Sequence, residues 1–160
     1  MNALLSLLTH RVAFSDGEID LCLSDEDVRD AKCGISDGYL FYLYKHRTRK
    51  YVGYVSLRLG ESPSLYYLGH IGYRIDQEYR GHGYAGKACR LIVPLMQQHG
   101  LRSVVITTDV DNIPSRKTCE ALGCTLERIA PVPAEYRAVC SGSRQKCRYI
   151  WRVAEGGGRE

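Results

Sequence analysis

The stretch Gln77-Glu78-Tyr79-Arg80-Gly81-His82-Gly83-Tyr84-Ala85-Gly86-Lys87-Ala88 decides the fold. It joins an alternating run, His70-Ile71-Gly72-Tyr73-Arg74-Ile75-Asp76, to a run of helical period. Glycines let a backbone approach a ligand closely. Amides at a helix N-terminus then converge on an oxyanion with the helix dipole behind them. Gly81, Gly83 and Gly86 also spell G-x-G-x-x-G, and Asp109 follows Gly86 by 23 residues, so an NAD(P) site has to be weighed. Three features oppose it. Residues 77–80 separate the strand end from the first glycine, where a dinucleotide fingerprint puts the glycine at the turn itself. The preceding strand alternates, unlike the uniformly apolar central strand of a parallel sheet. No second βαβαβ half follows. Gly-Lys-Ser/Thr is absent as well, so this is not a Walker phosphate loop. Three glycines and an arginine between Arg80 and Gly86 cost more chain entropy than a plain turn requires.

Working outward, residues 18–23 alternate as a strand, and Ser24-Asp25-Glu26-Asp27 reads as the start of a short helix cut off by Gly34 and Gly38. Residues 39–47 and 50–59 predict an antiparallel hairpin, and a third strand is expected over 67–76 after the turn Gly60-Glu61-Ser62-Pro63-Ser64. Ala85, Ala88, Cys89, Ile92, Leu95 and Met96 recur at helical spacing over 84–99, closed by Gly100, with Pro94 expected to kink the axis. Residues 103–109 read as a buried strand. Pro114 and Gly123 bound a helix over 113–122. Strands at 125–132 and 145–153 complete the chain. The order β-(short α)-β-β-β-α-β-α-β-β predicts an α/β (α+β) fold with mixed strand directions.

A chain of 160 residues and 18.0 kDa supports one core, since folding at this size buries roughly 69% of the unfolded surface. One domain over 1–154 is expected, with the glycine-rich 155–160 as a flexible tail. The net charge of +4 suits a ligand with several phosphates but lacks the dense basic stripe of a nucleic-acid binder. No apolar run reaches the ~18 residues that span a bilayer, and Met1–Leu8 lacks the basic n-region of a signal peptide. Seven cysteines, an odd number without a CxxC pair, point to reduced thiols in a cytoplasmic protein and to no metal site.

Arg80-Gly81-His82-Gly83-Tyr84-Ala85 resembles the (Gln/Arg)-x-x-Gly-x-(Gly/Ala) signature of the GNAT superfamily of N-acetyltransferases. Asn112-Ile113-Pro114-Ser115, then Cys119, then Gly123-Cys124, is similar to that family's second landmark: Asn-x-x-Ser/Ala, a tyrosine four residues on, and Gly-Phe. The resemblance covers roughly residues 18–153. It implies a mostly antiparallel, splayed sheet with flanking helices, holding acetyl-CoA in a V-shaped gap. The diphosphate would lie on amides from Gly81 to Gly86, beside Arg80, His82, Tyr84 and Ala85. The strand carrying Tyr73, Arg74 and Ile75 would pair with the pantetheine amides. Asn112 and Ser115 would contact the pantetheine arm or the cofactor's far end. Lys87, Arg90 and Arg116 are either partners of the 3′-phosphate or solvated charges.

The implied reaction is acetyl transfer to a primary amine, on a small molecule or a peptide, by direct attack in a ternary complex. A lysine-like amine is only about 0.04% neutral at pH 7, so its proton must be removed. His70 is the expected base, at a position where the family often has a carboxylate. Asp76, Asp109 and His82 are weaker candidates. Cys119 stands where the family commonly has its tyrosine acid; Tyr136 or Tyr149 is the alternative donor, and a purely packing role for Cys119 is the rival reading. Two alternatives remain at this stage, a catalytically silent CoA-binding module and an NAD(P)-binding fragment. The chain is expected to be a monomer or homodimer with no nucleic-acid or membrane partner.

Overall fold

The computed structural model describes residues 11–154. The expected tail over 155–160 and the apolar start at Met1–Leu8 lie outside the described residues. The elements, in chain order, are β1 (Val12–Ser15), β2 (Ile19–Leu23), β3 (Asp37–Lys45), β4 (Tyr51–Leu59), α1 (Pro63–Leu68), β5 (Ile71–Ile75), α2 (Tyr84–Leu91), α3 (Val93–Gln98), β6 (Ser103–Thr108), α4 (Ile113–Ala121), β7 (Thr125–Pro131) and β8 (Gln145–Arg152). The strands form one sheet in the order β1-β2-β3-β4-β5-β6-β8-β7. Every neighbouring pair is antiparallel except β5 and β6.

Strand alternation places the core on one face. Leu21, Leu43, Val55, Leu57, Ile71, Val104 and Ile106 turn toward Ala88, Cys89, Ile92, Met96 and Cys119 of the helices α2–α4. The opposite face carries Arg58, His70, Thr107 and Arg148, and α1 packs there. Thr107 Oγ1 donates to the Tyr67 and Leu68 carbonyls (2.8 and 2.9 Å), and the Arg148 guanidinium bonds the Tyr66 carbonyl and lies over the Tyr66 ring.

Three expectations need correction. No helix forms over 24–36, because Ser24, Asp27 and Asp30 each accept from the amide two residues on, a local alternative to helical bonding. The strand expected over 67–76 begins only at Ile71, because Ser62 and Pro63 start α1. Ser62 Oγ accepts from the Leu65 amide at 3.0 Å, and Pro63 occupies the first turn. Edge strand β1, exposed along most of its length, was not anticipated. The expected kink at Pro94 is a full break: α2 ends at Leu91 and α3 restarts at Val93.

Candidate active site at the β5–β6 fork

The single parallel seam of the sheet holds for one residue pair, Ile71 with Ile106. Just before that pair the strands are tightly joined. The His70 amide donates to the Val105 carbonyl (2.8 Å), the Val105 amide donates to His70 Nδ1 (3.0 Å), and Gly69 bridges to Ile106. Beyond it β5 continues against β4 to Ile75, while β6 continues against β8 to Thr108. The two strands diverge, and among the described residues the β5 edge facing the fork has no strand beside it from Gly72 onward.

The walls of the fork follow from the register. Two residues past Ile71 and Ile106 stand Tyr73 and Thr108, both on the helix-facing side. The Tyr73 hydroxyl reaches α4 and shares a 2.7 Å hydrogen bond with Ser115 Oγ; burial pushes this phenol well above its ordinary range. Thr108 is only 4% exposed, and its Oγ1 has no hydrogen-bond partner. Asn112 caps α4 by accepting from the Ser115 amide (3.2 Å), which fixes the turn that presents Ser115.

The glycine loop lies at the open end. After Ile75 the chain makes a short 3₁₀ turn over Gln77–Tyr79, and Arg80 Nε donates to the Ile75 carbonyl (2.9 Å), tying the loop back to β5. Gly81 (φ +87°) and Gly83 (φ +73°) both hold left-handed backbone. A Cβ added at either would meet no protein atom within 4 Å, so conformation and open space, rather than internal packing, select glycine here. Gly83 is the N-cap of α2 and has no side chain to satisfy the first amides; the Lys87 amide returns to the Gly83 carbonyl (3.1 Å). The helix therefore presents the amides of Tyr84, Ala85 and Gly86 at the mouth of the fork. His82 and Tyr84 stand beside them with ring centroids 5.3 Å apart.

The other expected residues fall into two groups. Arg74 and Ile75 line the unpaired part of β5, and Arg80, Gly81, His82, Gly83, Tyr84, Ala85 and Gly86 form the loop and first turn, so the structure brings these together with Tyr73 and Ser115. The cations are engaged elsewhere. Lys87 pairs with Glu18, Arg90 Nη2 donates to the Ala121 carbonyl (2.8 Å), and Arg116 donates to Tyr149 Oη (3.1 Å) and the Val110 carbonyl (3.1 Å). Asp109 accepts from Ser143 (2.5 Å) and Lys146 (2.8 Å). Burial would raise its pKa, but these bonds hold it below the usual carboxylate range. Tyr136 is stacked on Tyr67 over the opposite face.

The two catalytic expectations change. A backbone N–H has only a proton to give, so His70 Nδ1 accepts from Val105 with its lone pair, and the neutral ring carries its proton on Nε2. That ring has no free lone pair for an incoming amine. Burial, and then the charges of Arg148 and Arg58, also hold its pKa below the ordinary histidine value. His70 clamps the closed end of the fork, its Nδ1 engaged by the Val105 amide. Cys119 is 0% exposed, hydrogen-bonded to Cys124 and in contact with Tyr73. The Cys124 bond, and then burial, push its pKa far up. A thiol this reluctant to ionise is a poor acid toward a leaving thiolate whose own conjugate acid lies near ~8.5.

Comparisons with known proteins agree with this geometry. The model of the acetyltransferase (GNAT) domain matches residues 14–125. Among solved structures, the chain is similar to a ribosomal-protein-S5-alanine acetyltransferase from Vibrio fischeri (TM-score 0.66, 17% identity, 92% of this chain and 100% of that one). It is also similar to a putative acetyltransferase from Salmonella typhimurium with its cofactor acetyl-CoA (TM-score 0.56, 14% identity, 77% and 69%). A third is a ribosomal L7/L12 alpha-N-protein acetyltransferase in complex with coenzyme A (TM-score 0.54, 19% identity, 72% and 62%). At these identities the likeness is one of fold. No curated protein sequence matches the chain.

Proposed function

This chain belongs to the acetyltransferase (GNAT) domain family, and from that premise we propose that it transfers the acetyl group of acetyl-CoA to a primary amine by direct attack in a ternary complex. One observation carries the reading: the β5–β6 seam ends after one pair, beside the uncapped, glycine-led start of α2. The site also fits the cofactor by a test internal to the protein, because no protein atom fills the space in front of Gly81 and Gly83.

The amides from Gly81 to Gly86, led by the tethered Arg80 and flanked by His82, would hold the diphosphate. The unpaired edge of Tyr73, Arg74 and Ile75 would take the pantetheine amides. Asn112 and Ser115 would set the α4 wall, with Ser115 fixed by Tyr73. Bound acetyl-CoA supplies an activated acyl group, and the protein supplies position. The acceptor would approach the fork from the sheet face opposite α2–α4, beside α1 and the Tyr67–Tyr136 stack. Two of the structural neighbours are named for acting on ribosomal proteins, which supports a protein N-terminus as one acceptor class. With the His70 lone pair committed to Val105, the amine would lose its proton to water. The thiolate would depart without help from Cys119, whose thiol is wholly buried and held protonated.

Calorimetric titration tests binding, and thiol release across a panel of amines and N-terminal peptides tests catalysis. Acetyl-CoA should bind, NADPH should not, and at least one acceptor should release thiol. Binding without release across the whole panel would favour the silent CoA-binding module, which the withheld Cys119 proton makes the leading alternative. Absence of acetyl-CoA binding would sink the proposal.

A further inference from the structure

Arg58 of β4 sits beside His70, its amide donating to the His70 carbonyl (2.6 Å). Its side chain runs along the start of β5 on the face opposite α2–α4. Nη1 donates to the Leu68 and Gly69 carbonyls (3.2 Å each), at the closed end of the seam. Nη2 lies over Gly72, where an added Cβ would collide with it. Gly72 is the first β5 residue past the Ile71–Ile106 pair, so this end of the guanidinium stands where the fork begins.

A guanidinium is planar and carries N–H donors on all three nitrogens. On Arg58, Nη1 is engaged, while Nε and Nη2 make no hydrogen bond among the described residues. Those two nitrogens share one edge, and that edge matches the two oxygens of a carboxylate. Arg29 makes this grip in the same chain, with Nε and Nη2 on Asp27 at 2.9 and 2.8 Å. Arg148, on the same face as Arg58, has Glu127 at 3.3 Å. Among the described residues, no carboxylate lies within 4.0 Å of the Arg58 guanidinium. Burial lowers its pKa, and the groups that oppose this, Tyr54, Cys33 and Cys140, include no carboxylate. The open edge still reaches solvent: the sealed, unpartnered side-chain atoms among the described residues are Thr108 Oγ1 and Arg148 Nε. A partly buried cation with one whole edge open has given up hydration without a counter-charge in exchange.

We propose that the Nε–Nη2 edge of Arg58 binds a carboxylate of the acceptor, and so selects primary amines that carry one close by. The proposal rests on the acetyl-transfer reading above and deepens it, because Arg58 lies on the face from which the acceptor would approach. Two sources offer the same chemistry: an acidic side chain beside a peptide N-terminus, and the carboxylate of a free amino acid.

Matched acceptors test it. One pair is two C-terminally amidated peptides that differ only by glutamate or glutamine at the second position. The other is alanine and its amide. Each is assayed for thiol release with acetyl-CoA, and by calorimetry on the CoA-saturated protein, which needs no turnover. Wild type should favour the carboxylate member of at least one pair about tenfold or more in kcat/KM or Kd, and the pair that shows this names the source. Arg58→Gln should bring that ratio to within about threefold of unity. Arg58→Lys keeps the charge and a donor for the Leu68 and Gly69 carbonyls but loses the edge, so its ratio should fall between the two. It also decides the matter should Arg58→Gln fail to fold. An arginine that only braces those carbonyls would weaken both members of a pair together and leave the ratio intact. An intact ratio in either folded variant therefore overturns the assignment, as does a wild type indifferent to the carboxylate in both pairs. Should wild type fail to bind acetyl-CoA, the broader reading falls and takes this one with it. Acetyl-CoA binding without any carboxylate preference removes Arg58 alone.

Discussion

The closed and open ends of the β5–β6 seam are built from the same two strands and treat their polar groups in opposite ways. At the closed end the exchanges are internal: His70 gives its amide to Val105 and takes the Val105 amide on its imidazole. At the open end the first α2 amides have no side-chain cap, and one edge of β5 has no neighbouring strand among the described residues. An unsatisfied group costs free energy in a folded chain. The contrast also says what each end should do when altered. The closed end should respond in stability, and the open end in affinity.

Ile106 is the pivot, and its change should have the largest effect. It is 1% exposed and pairs with Ile71 where the strands part. Ile106→Ala should destabilise the protein by about 2–5 kcal/mol in urea melts. A loss below about 1 kcal/mol would mean that the seam is held elsewhere.

The open end is broken at Gly83. Gly83→Val places a β-branched residue at left-handed φ, and its side chain occupies the space in front of the helix amides. The backbone strain is about 1–3 kcal/mol, and acetyl-CoA affinity should fall at least ~100-fold as the diphosphate loses its approach. Gly100 supplies the control. It has the same φ of +73° and the same empty surroundings but follows α3, away from the fork. Gly100→Val should lose similar stability and keep its affinity. Equal losses of affinity in both variants would erase the distinction between the two ends.

How much of this was legible in the sequence follows the same division. Glycines and prolines announce backbone needs locally, so the loop at Gly81–Gly86, the α4 start at Pro114 and its end at Gly123 were all readable. Local signals misled where two outcomes share the same residues. Ser62-Pro63 opens a turn or a helix equally well, and contacts from Thr107 and Arg148 to the carbonyls of Tyr66, Tyr67 and Leu68 select the helix. The chemistry of His70 is set by an amide 35 residues away. That property does not belong to the residue type, so no local pattern carries it.

His70 sharpens the comparison from the closed side. His70→Ala leaves the Val105 amide without an acceptor and should cost about 1–3 kcal/mol, whereas His70→Asn, with a carbonyl oxygen near the place of Nδ1, should recover much of that. Burial, together with Arg148 and Arg58, lowers the folded pKa of His70, so the unfolded chain binds its proton more readily. Stability from this group is therefore complete above the unfolded value near ~6.5 and declines as the pH drops below it, levelling off under the folded pKa. The advantage of wild type over His70→Asn should shrink between about pH 7.5 and pH 5 in parallel denaturation curves. If His70 does not take the amine's proton, the Asn variant should keep the shape of the pH–rate profile. Loss of a limb from that profile would restore His70 as a base.

Cys119 should give the smallest effect, and it tests whether the α4 wall is chemical or merely structural. The thiol is wholly buried, shares its proton with Cys124 and touches the Tyr73 phenol. Cys119→Ala removes one buried sulfur, and the same helix still presents Ser115 to Tyr73. If the wall only shapes the fork, stability falls by about 1 kcal/mol and kcat changes less than about threefold, far short of the 10²–10⁴ that general acid catalysis contributes. A fall of about 10² or more in kcat at unchanged acetyl-CoA affinity would make Cys119 the proton donor after all. It would also place an active chemical group on the helix side of a fork whose other polar groups serve only to bind.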